Sequence, residues 1–121
     1  MQYMLLIYNS PDAWSSMSEA EQGEIYGAYG TFTEELQNSG KMVGGDALQP
    51  ITTATSVRVR DGETLTTDGP FAETKEVLGG YYLIDVETLD EALQAAAMIP
   101  SARYGHIEVR PIVMREAEVA S

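Results

Sequence analysis

Two stretches of the chain are apolar at almost every position, which is typical of strands buried on both faces of a sheet. They are residues 3–8, with the sequence YMLLIY, and residues 79–86, with the sequence GGYYLIDV. Residues 41–48 predict another strand, with an irregularity at its paired glycines, and Pro50 ends it. Residues 106–114 alternate apolar and polar side chains and predict a last strand. Pro111 inside it favours an edge position or a bulge.

A first helix is predicted from Ser18 to about Ser39. Ser18 and Glu21 have the spacing of a capping box, in which each side chain accepts a hydrogen bond from the other residue's backbone amide. Gly40 is a suitable residue after a helix end. Three- and four-residue spacing places five side chains on its apolar face: Ile25, Ala28, Tyr29, Phe32 and Leu36.

A second helix is predicted between Thr88 and Pro100. Thr88 and Glu91 again have capping-box spacing, and Pro100 stops the helix. The apolar stripe predicted for it is Leu89, Ala92, Leu93, Ala96 and Ala97.

Between the two halves of the chain, Asp61-Gly62 predicts a two-residue hairpin loop joining residues 55–60 to residues 63–67. Valines alternate with arginines in the first of these strands, so one face of the hairpin is predicted to be solvated. The order β-α-β-hairpin-β-α-β predicts an α+β fold, the ferredoxin-like split βαβ pattern with an inserted hairpin.

Two helices cover only one face of such a sheet, yet two of its strands are apolar on both faces. About six large side chains then remain uncovered, for example Met4, Leu6 and Tyr8 together with Tyr82, Ile84 and Val86; which set faces the helices is left open. Exposing them forgoes about 1.5–3 kcal/mol each, a sum comparable to the ~5–15 kcal/mol stability of a domain. We therefore predict a two-fold homodimer with its sheets face to face, a dimeric α–β barrel.

Composition limits the classes of partner and location. The 121 residues predict one domain over residues 1–115, followed by a frayed tail over 116–121. A net charge of −12 argues against nucleic acid and anionic membrane as partners. There is no cysteine, the apolar runs are too short to span a membrane, and the first residues do not resemble a signal peptide. The expected location is therefore the cytoplasm.

The most distinctive local chemistry lies in residues 68–76, DGPFAETKE. Gly69-Pro70 is a turn signal between β-type runs. Asp68 before it is a candidate general base, although a turn aspartate commonly bonds its own backbone. Phe71, Glu73 and Lys75 are candidate ligand-binding residues, with a plain solvated charge run as the alternative for the last two.

Four other side chains are candidates for a site. His106 can titrate near neutral pH, and Asp46 follows two glycines where chains can approach closely; both are candidate catalytic residues. Tyr29 and Tyr8 are candidate ligand-binding residues, with ordinary core packing as the alternative for each. The acidic residues lack the spacing of a calcium loop, and no cluster of His or Cys suggests zinc, so no metal or cofactor is predicted.

The ordered set of segments resembles the YCII-related family, in particular its DGPF-domain branch. The segments that carry the resemblance are residues 3–8, 32–36, 54–58, 68–76, 79–82 and 107–111, and Asp68-Gly69-Pro70-Phe71 is the signature tetrapeptide. The resemblance implies a ferredoxin-like subunit in a dimeric α–β barrel. It also implies a His–Asp catalytic pair, but here the position of that His in the first helix holds Tyr29 and the Asp corresponds to Asp46.

Two classes of function follow as hypotheses. The first is a small-molecule enzyme that uses carboxylate acid–base chemistry in a cleft of the dimer near Asp68. A structure with Asp68 fully exposed, and its side chain bonded only to local backbone, would refute it. The alternative is a non-catalytic ligand-binding or regulatory module, because DGPF domains resemble modules associated with extracytoplasmic-function sigma factors. A small-molecule ligand, a second copy of the chain and a sigma factor are thus the expected partners.

Overall fold

The computed structural model describes residues 1–70 and 74–114, so the domain boundary at residue 115 and the tail lie outside the described residues. Six strands are present in that part of the chain: Gln2–Asn9 (β1), Met42–Ala47 (β2), Thr55–Arg60 (β3), Glu63–Asp68 (β4), Val77–Asp85 (β5) and His106–Pro111 (β6). The α-helices are Pro11–Ser15 (α1), Glu19–Asn38 (α2) and Leu89–Met98 (α3). Short 3₁₀ turns span Ile51–Thr53 and Pro100–Arg103.

Four of the strands form one antiparallel sheet in the order β2-β5-β1-β6. This order and the order of the elements along the chain are those of a ferredoxin-like α+β fold. Two predictions of detail are confirmed. Pro111 ends an edge strand, and β2 shifts register between Met42 and Gly44.

The core lies between one face of this sheet and the helices α2 and α3. Alternate residues of β1 are buried there, with Leu5 fully inaccessible. Its main buried members are Tyr3, Leu5, Ile7, Phe32, Leu36, Tyr82, Ile84, Val86, Ala92, Ala96 and Ile99. The capping box of α2 forms as predicted, since the Ser18 hydroxyl accepts from the Glu21 amide at 3.1 Å.

The sheet face turned away from the helices, called the open face below, is apolar but only half covered. Met4, Leu6 and Tyr8 of β1 lie on it, which is one of the two arrangements of β1 that the sequence left open. On β5 the side chains named above as uncovered are instead buried. Tyr82 and Ile84 are in the core, so the open face carries Tyr81 and Leu83. Sequence could not decide between the two sets because both are apolar.

Some of the side chains predicted on the buried faces of the two helices are exposed. In α2, Ala28 is exposed although Ile25, Phe32 and Leu36 are buried. In α3 the small residues Ala92 and Ala96 face the sheet, whereas Leu89 and Leu93 are exposed to 48% and 46%. Alanines let the helix backbone approach the sheet closely, which leaves the bulkier leucines at the sides of the contact.

The short helix α1 is absent from the sequence-based prediction, because Pro11 directly after the first strand favours a break in the chain as much as a new helix. Proline is well suited to the first turn of a helix, since its missing amide has no helical partner there. Ser10 caps α1 by accepting from the amide of Ala13 at 3.4 Å.

Strands β3 and β4 form a separate two-stranded sheet, joined by the predicted loop. Asp61 and Gly62 have φ angles of 51° and 79°, as a turn with two left-handed central residues requires. The prediction of one solvated face was wrong, because Val57 and Val59 are 63% and 57% exposed. The hairpin does not fold back onto the four-stranded sheet, so its valine face is wet as well.

Candidate active site on the open face

The open face brings three side chains together where β1 ends and β6 begins. His106 lies directly across from Tyr8 in the β1–β6 register. Their rings are stacked, with centroids 5.1 Å apart and planes 8° from parallel. Nδ1 of His106 contacts Oε2 of Glu76, which lies in the segment that leads into β5. One nitrogen of the imidazole is therefore directed at a carboxylate while its ring plane is fixed by a tyrosine.

Backbone packing positions this histidine. Gly105 precedes it and lies so close to β1 that a β-carbon there would be 2.9 Å from the Asn9 Cα and closer still to the Tyr8 carbonyl oxygen. Only glycine fits this approach, which aligns the start of β6 with the end of β1. His106 and Glu76 have side-chain exposures of 58% and 35%, so both are accessible to a ligand in the single chain.

A second polar pair lies on the same face, toward the β2 edge. Tyr81 and Asp46 are opposite each other in the β2–β5 register, and the Tyr81 hydroxyl donates to Oδ2 of Asp46 at 3.0 Å. The Asp46 carboxylate accepts this hydrogen bond and repels a phenolate, and both effects raise the pKa of Tyr81 above its usual 10.0. The phenol is thus kept protonated, as a hydrogen-bonding group must be to donate.

The two groups share one end of the sheet. Asp46 is on β2 and His106 on β6, three strand spacings apart, which corresponds to about 14 Å. Leu6 lies between them, with Tyr81 across from it on one side and Glu108 on the other. An apolar strip with polar groups at both ends is a surface on which a small ring compound can lie.

Tyr29 is not part of this arrangement. It lies on the helix side of the sheet, where its hydroxyl donates to Oγ of the buried Ser101 at 2.6 Å. Burial raises the pKa of Tyr29, and the contact with Ser101 opposes that effect only in part. The fold therefore separates Tyr29 from Asp46, although the resemblance placed both in one catalytic pair.

The loop that the sequence singled out lies apart from the histidine in the single chain. Asp68 is exposed at the end of β4, opposite Thr55. Gly69 has a φ of 98° and its amide donates to the Ala54 carbonyl at 2.7 Å, so the turn itself forms as expected. Lys75 is exposed. The predicted ligand-binding residues Phe71 and Glu73 lie outside the described residues.

Two residues of the open-face site were not among the candidates. Glu76 lies at the end of the charged segment 68–76 and Tyr81 lies in a strand that is apolar on both faces, so neither differs in residue pattern from its neighbours. Both owe their position to strand register, since Glu76 contacts a residue 30 positions later and Tyr81 one 35 positions earlier. Tyr81 could be identified only by knowing which side chains of β5 face away from the helices. The sequence of β5 does not show this, because it is apolar on both faces.

A groove of about 620 Å³ lies elsewhere, between α2 and the segment from α3 to the following turn. Its floor includes Ile25, Phe32 and Ile99, and its rim includes three glutamates and Arg103. It is on the helix side and has neither the histidine nor its partners. We therefore place the candidate site on the open face.

Within residues 1–70 and 74–114, no three His, Asp or Glu side chains are grouped so as to hold a metal ion. Nor does any helix of that part of the chain have the length and hydropathy needed to cross a membrane.

The fold and the site define a small α+β protein with a polar cluster on the uncovered side of its sheet. Residues 1–116 match the YCII-related domain, and the chain belongs to this family. The match does not distinguish the DGPF branch, which stays a prediction based on residues 68–71.

Two similar proteins give context. An uncharacterised protein of Rhizobium meliloti is 39% identical over 116 residues, which is 94% of each chain. The 5-chloro-2-hydroxyhydroquinone dehydrochlorinase of Burkholderia phenoliruptrix, solved in complex with 2,5-dihydroxybenzoquinone, has a TM-score of 0.56. The superposition covers 97% of this chain and 98% of that one, at 13% identity. At that identity the likeness concerns the fold alone.

Proposed function

We propose that this protein is a homodimeric small-molecule enzyme that performs acid–base chemistry on the open face of its sheet. The observation that carries the proposal is the contact of His106 Nδ1 with Glu76 while the ring is stacked on Tyr8. An imidazole held by a carboxylate at one nitrogen exchanges a proton with a ligand at the other. The Tyr81 hydroxyl donates its proton to Asp46, so its oxygen is left to accept a hydrogen bond from a ligand hydroxyl.

The proposed reaction begins with proton transfer. Nε2 of His106 takes a proton from a hydroxyl or an acidic carbon of the substrate, and the Glu76 carboxylate stabilises the imidazolium that forms. The electron pair left on the substrate then drives its rearrangement or the loss of a leaving group. Arg110 lies 3.9 Å from the Glu108 carboxylate, but Asp46 and Glu76 add two further carboxylates to this face, so the favoured substrate enters as a neutral molecule.

The dimer is part of the proposal because the open face is apolar. Its large side chains are only half covered in one chain; they are Met4, Leu6, Tyr8, Leu78, Tyr81 and Leu83. Full burial of one such side chain contributes about 1.5–3 kcal/mol. A second sheet that covers all six half-exposed side chains therefore contributes a substantial part of six times that amount. Sheets packed face to face lie about 10 Å apart, a spacing that admits a flat ligand where the side chains are small.

The structural neighbour supports an enzyme on this fold without assigning a substrate. A protein with nearly the same extent is named a dehydrochlorinase and was solved with a benzoquinone bound. A hydroxylated ring also suits the stacked Tyr8–His106 pair, because aromatic rings stack on one another. Hydroxylated aromatic rings are therefore the first compounds to test.

The test is a turnover assay with 5-chloro-2-hydroxyhydroquinone as the first compound, followed by other neutral hydroxylated rings. His106→Gln is expected to lower kcat by about 10²–10⁴-fold, and Glu76→Gln by less, as for removal of an acid–base group and of its partner. Glu24→Gln, on the exposed surface of α2, is the matched control and should leave kcat unchanged. Wild-type turnover in His106→Gln would refute the proposed role.

The alternative is a module that binds a ligand without turning it over. Asp68, the base first favoured by sequence, is exposed in the single chain, and this observation favours the alternative. It predicts ligand-dependent shifts of the Tyr8 and His106 ring signals in NMR spectra, with no product from any compound. A sigma-factor partner stays a prediction, and its test is co-elution of the two purified proteins.

A further inference from the structure

Among residues 1–70 and 74–114, nothing packs on the exposed apolar side chains of the β3–β4 hairpin, called the arm below. Every residue of β4 is exposed, and in β3 only Ser56 is partly covered. A two-stranded hairpin by itself is marginally stable in water. Two valines and a leucine on it are each more than 40% exposed. An arm of this kind gains stability when it packs on another surface.

The charges of the arm differ between its strands. Residues 55–60 carry Arg58 and Arg60 and no acid, whereas residues 63–68 carry Glu63 and Asp68 and no base. In a chain with 7 basic and 19 acidic residues, a strand with two bases and no acid is the part best suited to meet a carboxylate surface. Leu65 lies opposite Arg58 in the β3–β4 register, so it shares the arginine face of the arm and supplies apolar contact there, whereas Val57 and Val59 lie on the other face.

The open face has the matching properties. It is apolar in its middle and carries the carboxylates of Asp46, Glu76 and Glu108 at the end where the candidate site lies. Both connections to the arm leave from that same end, because β2 ends there and β5 begins there. Six extended residues reach about 20 Å, more than the width of the four-stranded sheet of about 14 Å.

We propose that the arm docks on a second copy of the chain, with the face that carries Arg58, Arg60 and Leu65 toward the site end of the open face of that copy and Arg58 brought to the carboxylates of its site. The inference rests on the proposed dimer and adds to it a residue that each site receives from the other subunit. A guanidinium among these carboxylates binds the anionic oxygen that develops on a substrate after proton loss. Each site is incomplete without the partner's arm.

Sedimentation velocity on dilution tests the docking. Arg58→Ser combined with Leu65→Ser should raise the dimer dissociation constant at least ten-fold, with an unchanged far-UV circular dichroism spectrum. Val57→Ser, on the opposite face of the arm and 63% exposed, is the matched control and should change that constant by less than about two-fold. A double variant that dimerises like the wild type would refute the arm and leave the proposed dimer intact.

A wild-type protein that is monomeric at micromolar concentration would instead refute both the dimer and the arm. A nitroxide on Leu65→Cys, on the arginine face of the arm, gives an independent readout, since the chain has no other cysteine. The electron paramagnetic resonance spectrum should be broad in the dimer and sharpen on dilution to monomer. A label on Val57→Cys, on the opposite face, should stay mobile throughout, and a mobile label at both positions in the dimer would overturn the proposal.

Discussion

Replacing Gly105 by alanine tests how the backbone positions the candidate histidine. The new methyl group would lie 2.9 Å from Cα and 3.0 Å from Cβ of Asn9, and nearer still to the Tyr8 carbonyl oxygen. Real side chains do not approach backbone atoms this closely, so either β1 or the start of β6 must move. Because β1 is hydrogen-bonded on both sides, to β5 and β6, it cannot yield without disturbing the centre of the sheet.

The expected cost is that of overpacking, about 1–3 kcal/mol in the free energy of unfolding. With a urea dependence of about 1.5 kcal/mol per molar, the midpoint of unfolding falls by roughly 0.7–2 M. Gly27→Ala is the matched control, since Gly27 lies in the interior of α2 with nothing within 4 Å of an added β-carbon. It should instead raise the free energy of unfolding by about 1 kcal/mol, through helix propensity alone.

The assay is urea unfolding followed by circular dichroism, at one fixed protein concentration because self-association would add a concentration dependence. The His106 ring signals in NMR spectra report separately on the stacking against Tyr8, and Gly105→Ala should shift them. A Gly105→Ala protein with the wild-type midpoint and unshifted His106 signals would refute the proposed close approach.

Two further predictions concern the helix side of the sheet. Leu5→Ala, at a fully buried position, should lower the free energy of unfolding by about 2–5 kcal/mol in the same assay, and the half-exposed Leu93→Ala by much less; equal losses would contradict the burial. Tyr29 has a raised pKa in the folded state, so the unfolded chain loses this proton first. The stability that Tyr29 contributes is therefore complete below pH 10.0 and is lost as the pH rises toward the folded-state value. Tyr29→Phe should flatten the fall in unfolding midpoint between about pH 9 and pH 11, and an unchanged slope would refute this.

Local signals predicted most elements of the fold. The capping residues Ser18 and Thr88 begin the two long helices, and Asp61-Gly62 forms the hairpin loop. These signals worked because each depends on atoms a few residues apart. Leu89 and Leu93 were misplaced for the opposite reason, since the side of α3 that packs is chosen by how closely its alanines approach the sheet.

The candidate site was predictable only in part. His106, Asp46 and Tyr8 were singled out by residue type, and all three lie on the open face. Their partners Glu76 and Tyr81 were not, because each pairing depends on strand register over 30 or more positions. The turn motif made Asp68 a candidate catalytic residue, but a sequence motif does not show whether a carboxylate is buried.

The amino-acid sequence by itself determined the order of the elements, the family and the apolar character of both sheet faces, since these depend on composition and short spacing. Tertiary structure decided which face of β5 meets the helices, where the arm lies, and which acid accompanies the histidine. Those outcomes depend on register and packing between distant segments. Residues of one chemical type are interchangeable along the sequence and become distinct only when their neighbours in space are known.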